Sequence, residues 1–135
     1  MESKGVETPR PGRTGVPTVY VVDDDAPLRR ALQRLLRSVG FTVETFGNAE
    51  DLLAAEHIPM ADCLVLDIHL GALSGFDLHD RLRVAGVSIP TVFITGHDDA
   101  VTRERARRVG AAGYVRKPFD EAALVAAIEN ALSRR

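Results

Sequence analysis

Residues 18–40, TVYVVDDDAPLRRALQRLLRSVG, decide the architecture, because the period of their hydrophobic pattern changes once, across three consecutive aspartates. Thr18 to Val22 is a β-branched run without polar alternation, the pattern of a strand covered on both faces. Beyond Asp23, Asp24 and Asp25, the residues Leu28, Ala31, Leu32, Leu35, Leu36 and Val39 recur at helical spacing, with Arg29, Arg30, Gln33, Arg34 and Arg37 between them. Gly40 is placed to end that helix in a left-handed conformation. A buried strand running directly into an amphipathic helix is the repeating half of a parallel α/β sheet.

The unit recurs along the chain. Phe41 to Thr45 reads as a second strand, and Asn48 can cap a short helix to about Glu56. Cys63 to Leu66 reads as a third strand, followed by a helix from Ser74 to about Val84. Thr91 to Ile94 reads as a fourth, followed by a polar helix from about Asp98 to Val109. A short fifth strand, Gly113 to Val115, precedes a last helix from Asp120 that turns Leu124, Val125, Ile128 and Leu132 inward. Five strand–helix units predict a doubly wound α/β domain, in which ligands meet the carboxyl ends of the strands.

Composition sets the bounds. The chain has 135 residues, 45% of them hydrophobic, enough for one domain around one core. A net charge of −2 provides no general attraction to nucleic acid or anionic membrane, and 5% aromatics without Trp disfavour a base-stacking surface. Cys63, the single cysteine, lies in an apolar run and reads as a core residue in a reduced compartment. No apolar run approaches the roughly 18 residues of a membrane span, and no signal peptide is visible, so a cytoplasmic protein is expected. Residues 1–17, with three Pro and three Gly, read as a disordered leader. Residues 18–135 read as the whole folded part, with no output domain after it.

The strand ends carry the chemistry. The first ends in Asp23-Asp24-Asp25, the third in Asp67, the fourth in Thr95, and the fifth runs into Lys117-Pro118. Each has an ordinary explanation: Asp25 can cap a helix, Asp67 a loop, Thr95 the next helix, and Lys117 can be a surface lysine. Their convergence on one sheet edge is the functional signal. Two carboxylates about 4 Å apart repel by roughly 4 kcal/mol at an effective dielectric near 20, and Asp23, Asp24 and Asp67 make three. Such a cluster calls for a cation, and all-oxygen ligands favour Mg²⁺ or Mn²⁺ over zinc. Magnesium commonly pairs one or two carboxylates with phosphate oxygens, yet no Gly-rich nucleotide cradle follows the first strand. A carboxylate that itself receives a phosphoryl group remains.

The ordered motifs VYVVDDDAPLR, LVLDIHL, SGFDL, VFITGHDD and GYVRKPF resemble those of response-regulator receiver domains, the CheY-like fold, and most closely FixJ-type receivers. The resemblance spans about residues 18–133, with Thr95 lying 28 and Lys117 lying 50 residues after Asp67. It implies a (βα)5 fold with strand order 2-1-3-4-5 and a phosphoacceptor at Asp67, supplied by a sensor histidine kinase, a histidine phosphotransfer protein or acetyl phosphate. It implies Mg²⁺ (or Mn²⁺) on Asp24, Asp67 and the backbone carbonyl of His69, with Asp23 acting mainly through water. Lys117 would hold the phosphoryl oxygens beside a cis Lys117-Pro118 peptide, and Thr95 with Tyr114 would form the switch pair. His69 and His97 flank the site at positions that tune hydrolysis.

The implied output is a surface of the fourth helix, fifth strand and fifth helix that meets a protein target or a second copy, without membrane or direct nucleic-acid contact. Arg103, Glu104, Arg105, Arg107 and Arg108 make that helix highly charged, which weakens the case for an apolar dimer. A Glu104–Arg108 pair is expected there, with Ala100, Val101, Ala106 and Val109 as the anchors. Receivers place proline four residues after the phosphoacceptor; Gly71 stands there, and a mobile 67–74 loop is expected. The protein would be no enzyme beyond its own phosphorylation and dephosphorylation. Two alternatives are the receiver fragment of a FixJ-type DNA-binding regulator and a phosphorylation-independent module of the same fold. A haloacid-dehalogenase-type phosphatase built on Asp23 and Asp25 fails, because Pro27 stands where that motif needs Thr or Val and Asp67 would be idle.

Overall fold

The strand β1 (Thr18–Val22) lies between β2 (Thr42–Phe46) and β3 (Cys63–Asp67), and β4 (Thr91–Thr95) and β5 (Gly113–Arg116) continue outward from β3. The computed structural model describes residues 15–134 and places these strands in one parallel sheet of order β2-β1-β3-β4-β5, as the resemblance implies. Most of the proposed leader, residues 1–14, lies outside the described residues. Pro17 already joins the sheet, its carbonyl accepting from the Thr42 amide at 3.0 Å.

Strand alternation splits the core in two. Tyr20, Val22, Leu64, Leu66 and Phe93 face α2 (Ala49–Leu53), α3 (Gly75–Val84) and α4 (Ala100–Arg108). Val19, Val21, Val65, Val92 and Ile94 face α1 (Ala26–Val39) and α5 (Glu121–Leu132). Consecutive side chains of a strand point to opposite faces, so an uninterrupted apolar run is what a sheet covered on both sides requires.

Helix starts follow side-chain caps. Asp25, Asn48, Ser74, Asp99 and Asp120 each accept a hydrogen bond from a first-turn amide, and Ser74 with Asp77 completes a capping box. The fourth helix accordingly begins at Ala100 rather than Asp98, since Asp99 performs the capping. The second helix stops at Leu53 instead of near Glu56, and a 3₁₀ turn at Ile58–Met60 leads into β3.

Several apolar positions differ from the periodic reading. Val39 and Val101 are 42% and 76% exposed, because each sits where its helix has turned away from the sheet. On α5 the buried set is Leu124, Ile128 and Ala131, with Val125 and Leu132 half-buried at the margins. Among the described residues no helix is long and apolar enough to cross a membrane. Ile128→Ala should lower stability by about 2–5 kcal/mol and Val101→Ala by less than about 0.5 kcal/mol, measured by urea unfolding.

Candidate functional site

At the carboxyl edge of the sheet, Asp23 continues β1 by one residue, its amide donating to the Phe46 carbonyl at 3.1 Å. Its carboxylate is fully buried. One oxygen accepts from the Asp25 amide at 2.9 Å, and the other from Lys117 Nζ at 2.8 Å. Lys117 Nζ also donates to Asp67 Oδ2 at 3.2 Å, and Asp67 Oδ1 accepts from the His69 amide at 3.1 Å. Asp24 is exposed beside them. One oxygen from each of Asp23, Asp24 and Asp67 falls within a span of 4.8 Å.

Charge is unbalanced there. Burial, and then the neighbouring Asp23 charge, raise the Asp67 pKa above its ordinary 3.8; the His69 hydrogen bond and Lys117 oppose them without prevailing. Burial is the largest influence on Lys117 and pulls its pKa down. The hydrogen bond and charge of Asp23, together with Asp67, overcome it and hold the proton on. One ammonium among three carboxylates leaves the edge short of positive charge. The donors are all oxygen, closely spaced, and Asp24 opens to solvent, which fits a hard divalent cation such as Mg²⁺ or Mn²⁺ better than zinc.

Thr95 is fully buried at the end of β4, its hydroxyl accepting from the His97 amide at 2.9 Å. Its carbonyl accepts from the Lys117 amide at 2.7 Å, which ties the lysine to β4 just past the end of β5. The Lys117–Pro118 peptide is cis. Tyr114 stands half-buried, and its hydroxyl donates to Asp98 Oδ1 at 2.9 Å. Partial burial, followed by the bond to Asp98, pushes its pKa up to about 12. His69 and His97 pack edge to face, with ring centroids 6.0 Å apart.

The β3–α3 loop takes its own path. Gly71 has φ 91°, a conformation that proline, fixed near −65°, cannot adopt. The residue there is therefore a glycine of defined left-handed geometry. Gly75 lies so close to Asp67 that a Cβ would stand 2.4 Å from the Asp67 carbonyl oxygen. Periodicity alone did not single out Gly75; its place directly after a serine cap was the available signal.

Two other residues escaped the strand-end reading. Arg29 donates to the Asp23 carbonyl at 2.8 Å, bracing the acidic turn from α1. Asp98 holds Tyr114 and lies 3.1 Å from Arg103 and 3.5 Å from Arg116. On α4, Glu104 pairs with Arg107 rather than Arg108, and Arg105 lies 4.5 Å above the Phe76 ring. Ala106 is the buried residue of that helix, so the expected anchoring by Ala100 and Val101 is absent.

Residues 19–129 match the profile of the response regulator receiver domain. Nodulation protein W of Bradyrhizobium diazoefficiens is 41% identical over 116 residues, which cover 86% of this chain and 51% of that protein. Transcriptional regulatory protein FixJ of the same organism is 36% identical over 114 residues, covering 84% and 56%. The structure of response regulator StyR superposes with a TM-score of 0.80 at 45% identity, covering 88% of this chain and 60% of that one. The chain thus spans about half the length of the curated relatives it matches.

Asp67 binds its proton more tightly in the fold than in the unfolded chain, so its ionisation weakens folding as pH rises through the raised pKa. Asp67→Asn should therefore raise the thermal midpoint at pH 7 in the absence of divalent cations. The gain should shrink as pH falls to the ordinary carboxylate value, and calorimetry at several pH values checks it. Gly71→Ala should lose about 1 kcal/mol and Gly71→Pro more, read from denaturant unfolding.

Proposed function

The chain belongs to the response regulator receiver family, and from that premise we propose that it is the phosphoacceptor module of a two-component relay, with Asp67 as the acceptor. The observation that carries this reading is the Lys117 ammonium bonded at once to Asp23 and Asp67, with Asp24 beside them. An ammonium already seated between two carboxylates is placed to follow charge from Asp67 onto incoming phosphoryl oxygens.

The donor is the phosphohistidine of a sensor kinase or of a histidine phosphotransfer protein, with acetyl phosphate as a small-molecule substitute. An Asp67 carboxylate oxygen attacks phosphorus, the P–N bond breaks, and the imidazole leaves and takes up a proton. The product is an acyl phosphate, which water cleaves to restore the carboxylate. Beyond this self-chemistry the chain is not an enzyme. Asp24, Asp67 and the His69 carbonyl would hold Mg²⁺, or Mn²⁺ in its place, with Asp23 acting through water. When bound, the ion would neutralise charge on the phosphoryl oxygens. The protein's own part is positioning: Lys117 neutralises, the His69 amide orients Asp67, and Gly75 leaves room for the loop.

Phosphorylation gives the Thr95 hydroxyl, which accepts from the His97 amide, a phosphoryl oxygen to donate to, and the side chain moves toward it. Tyr114 then turns inward, and the α4–β5–α5 surface changes for a protein partner in the cytoplasm. The coverage of about half of relatives such as FixJ favours a second reading of context, in which this domain is the receiver of a longer transcription regulator.

With acetyl phosphate and Mg²⁺, intact mass spectrometry should find one phosphoryl increment on the wild type and none on Asp67→Asn. Removing Mg²⁺ should slow incorporation by about tenfold or more, the scale of losing a main electrostatic contributor. Incorporation that survives Asp67→Asn would overturn the assignment.

A further inference from the structure

Asp98 is held on three sides by donors from two elements. Its Oδ1 accepts from the Tyr114 hydroxyl at 2.9 Å and lies 3.1 Å from Arg103 Nε, while Oδ2 lies 3.5 Å from Arg116 Nη1. The Asp98 side chain is 16% exposed, whereas those of Arg103 and Arg116 are 58% and 71% exposed. Capping of α4 is done by Asp99, so Asp98 is not needed for the helix. Arg103, Arg107 and Tyr114 also line an open cavity of about 320 Å³, together with Ala106, Ala111 and Gly113. Two guanidinium groups and a hydroxyl converging on one carboxylate, next to a small apolar hollow, describe a receptor for an acidic side chain with an apolar neighbour.

We propose that Arg103 and Arg116 are a docking site for an acidic segment of a partner protein, and that Asp98, held there by Tyr114, is the chain's own occupant of that site in the resting state. The proposal rests on the receiver reading above and names the partner chemistry of its output face. Neighbouring cations are otherwise engaged, since Arg107 pairs with Glu104 and Arg105 stacks on Phe76. Withdrawal of Asp98 leaves Arg103, which lines the hollow, and Arg116 without the carboxylate they share. The switch supplies the withdrawal, because Asp98 rides on the loop whose anchor is the His97 amide bonded to the Thr95 hydroxyl. A partner that binds the vacated site sees its affinity reduced by the fraction of molecules still latched. The hollow accepts one side chain over methyl groups, and the chain's net charge of −2 disfavours a polyanion, so a protein segment fits better than nucleic acid.

The test is NMR titration of the full chain with N-acetyl-leucyl-glutamate amide, and with its glutamine counterpart as the uncharged control. Asp98→Ala should bind the glutamate probe about fivefold tighter than the wild type does and about fivefold tighter than it binds the glutamine probe, as one exposed charge pair allows. Wild type treated with Mg²⁺ and beryllofluoride, a phosphoryl mimic, should gain the same preference, and adding Arg103→Gln to Asp98→Ala should abolish it. Equal affinity for the two probes, no gain in Asp98→Ala, or stronger perturbation of the same residues by an oligothymidylate would overturn the proposal. Beryllofluoride that fails to perturb Asp67 and Thr95 in the wild type would overturn the receiver reading instead, leaving the Asp98→Ala comparison to judge the docking site.

Discussion

The Lys117 ammonium between the Asp23 and Asp67 carboxylates is the contact on which the site depends. Without it, buried like charges at the edge of β1 and β3 would repel by several kcal/mol at close range. The lysine lies 94 residues from one partner and 50 from the other. Parallel pairing puts β1 beside β3, and the Thr95 carbonyl catches the Lys117 amide as the chain leaves β5. Ion groups of this kind are poor contributors to stability once desolvation is counted. Their presence at the carboxyl edge of a doubly wound sheet is a mark of function, and the charge repulsion held there is offset by the two apolar layers beneath.

Those layers are unequally attached to the helices. Leu124, Ile128 and Ala131 fasten α5, and Leu32 with Leu36 fastens α1, whereas α4 contributes Ala106 alone to the buried set. A helix with so little buried area opens and shifts more easily than its neighbours. It is fastened instead by polar contacts at its start, where Asp98 joins it to Tyr114 and Arg116, and by Arg105 on Phe76. Polar fastenings respond to charge at a nearby site; apolar ones do not.

Much of the fold was legible along the chain. Apolar runs bounded by caps located every strand to within a residue or so, because a strand buried on both faces leaves a local trace in composition. Helix ends were less legible. The α2 helix stopped early at Leu53, and α4 started late at Ala100 because neighbouring aspartates compete for one capping role and only backbone geometry chooses between Asp98 and Asp99. The exposure of Val101 was likewise invisible, because helical period says which residues share a face but not how much of a short helix reaches the sheet.

The sequence by itself determined the sheet, the residues at its carboxyl edge, and the family to which their order belongs, because these follow from local period and from spacing that survives folding. Only the tertiary structure decided what the side chains do for one another. It set Asp23 behind Lys117, turned Gly71 into a left-handed position, pressed Gly75 against the Asp67 carbonyl, and gave Asp98 three partners from α4 and β5. Those outcomes rest on contacts between distant segments, whose distances and angles no local pattern encodes.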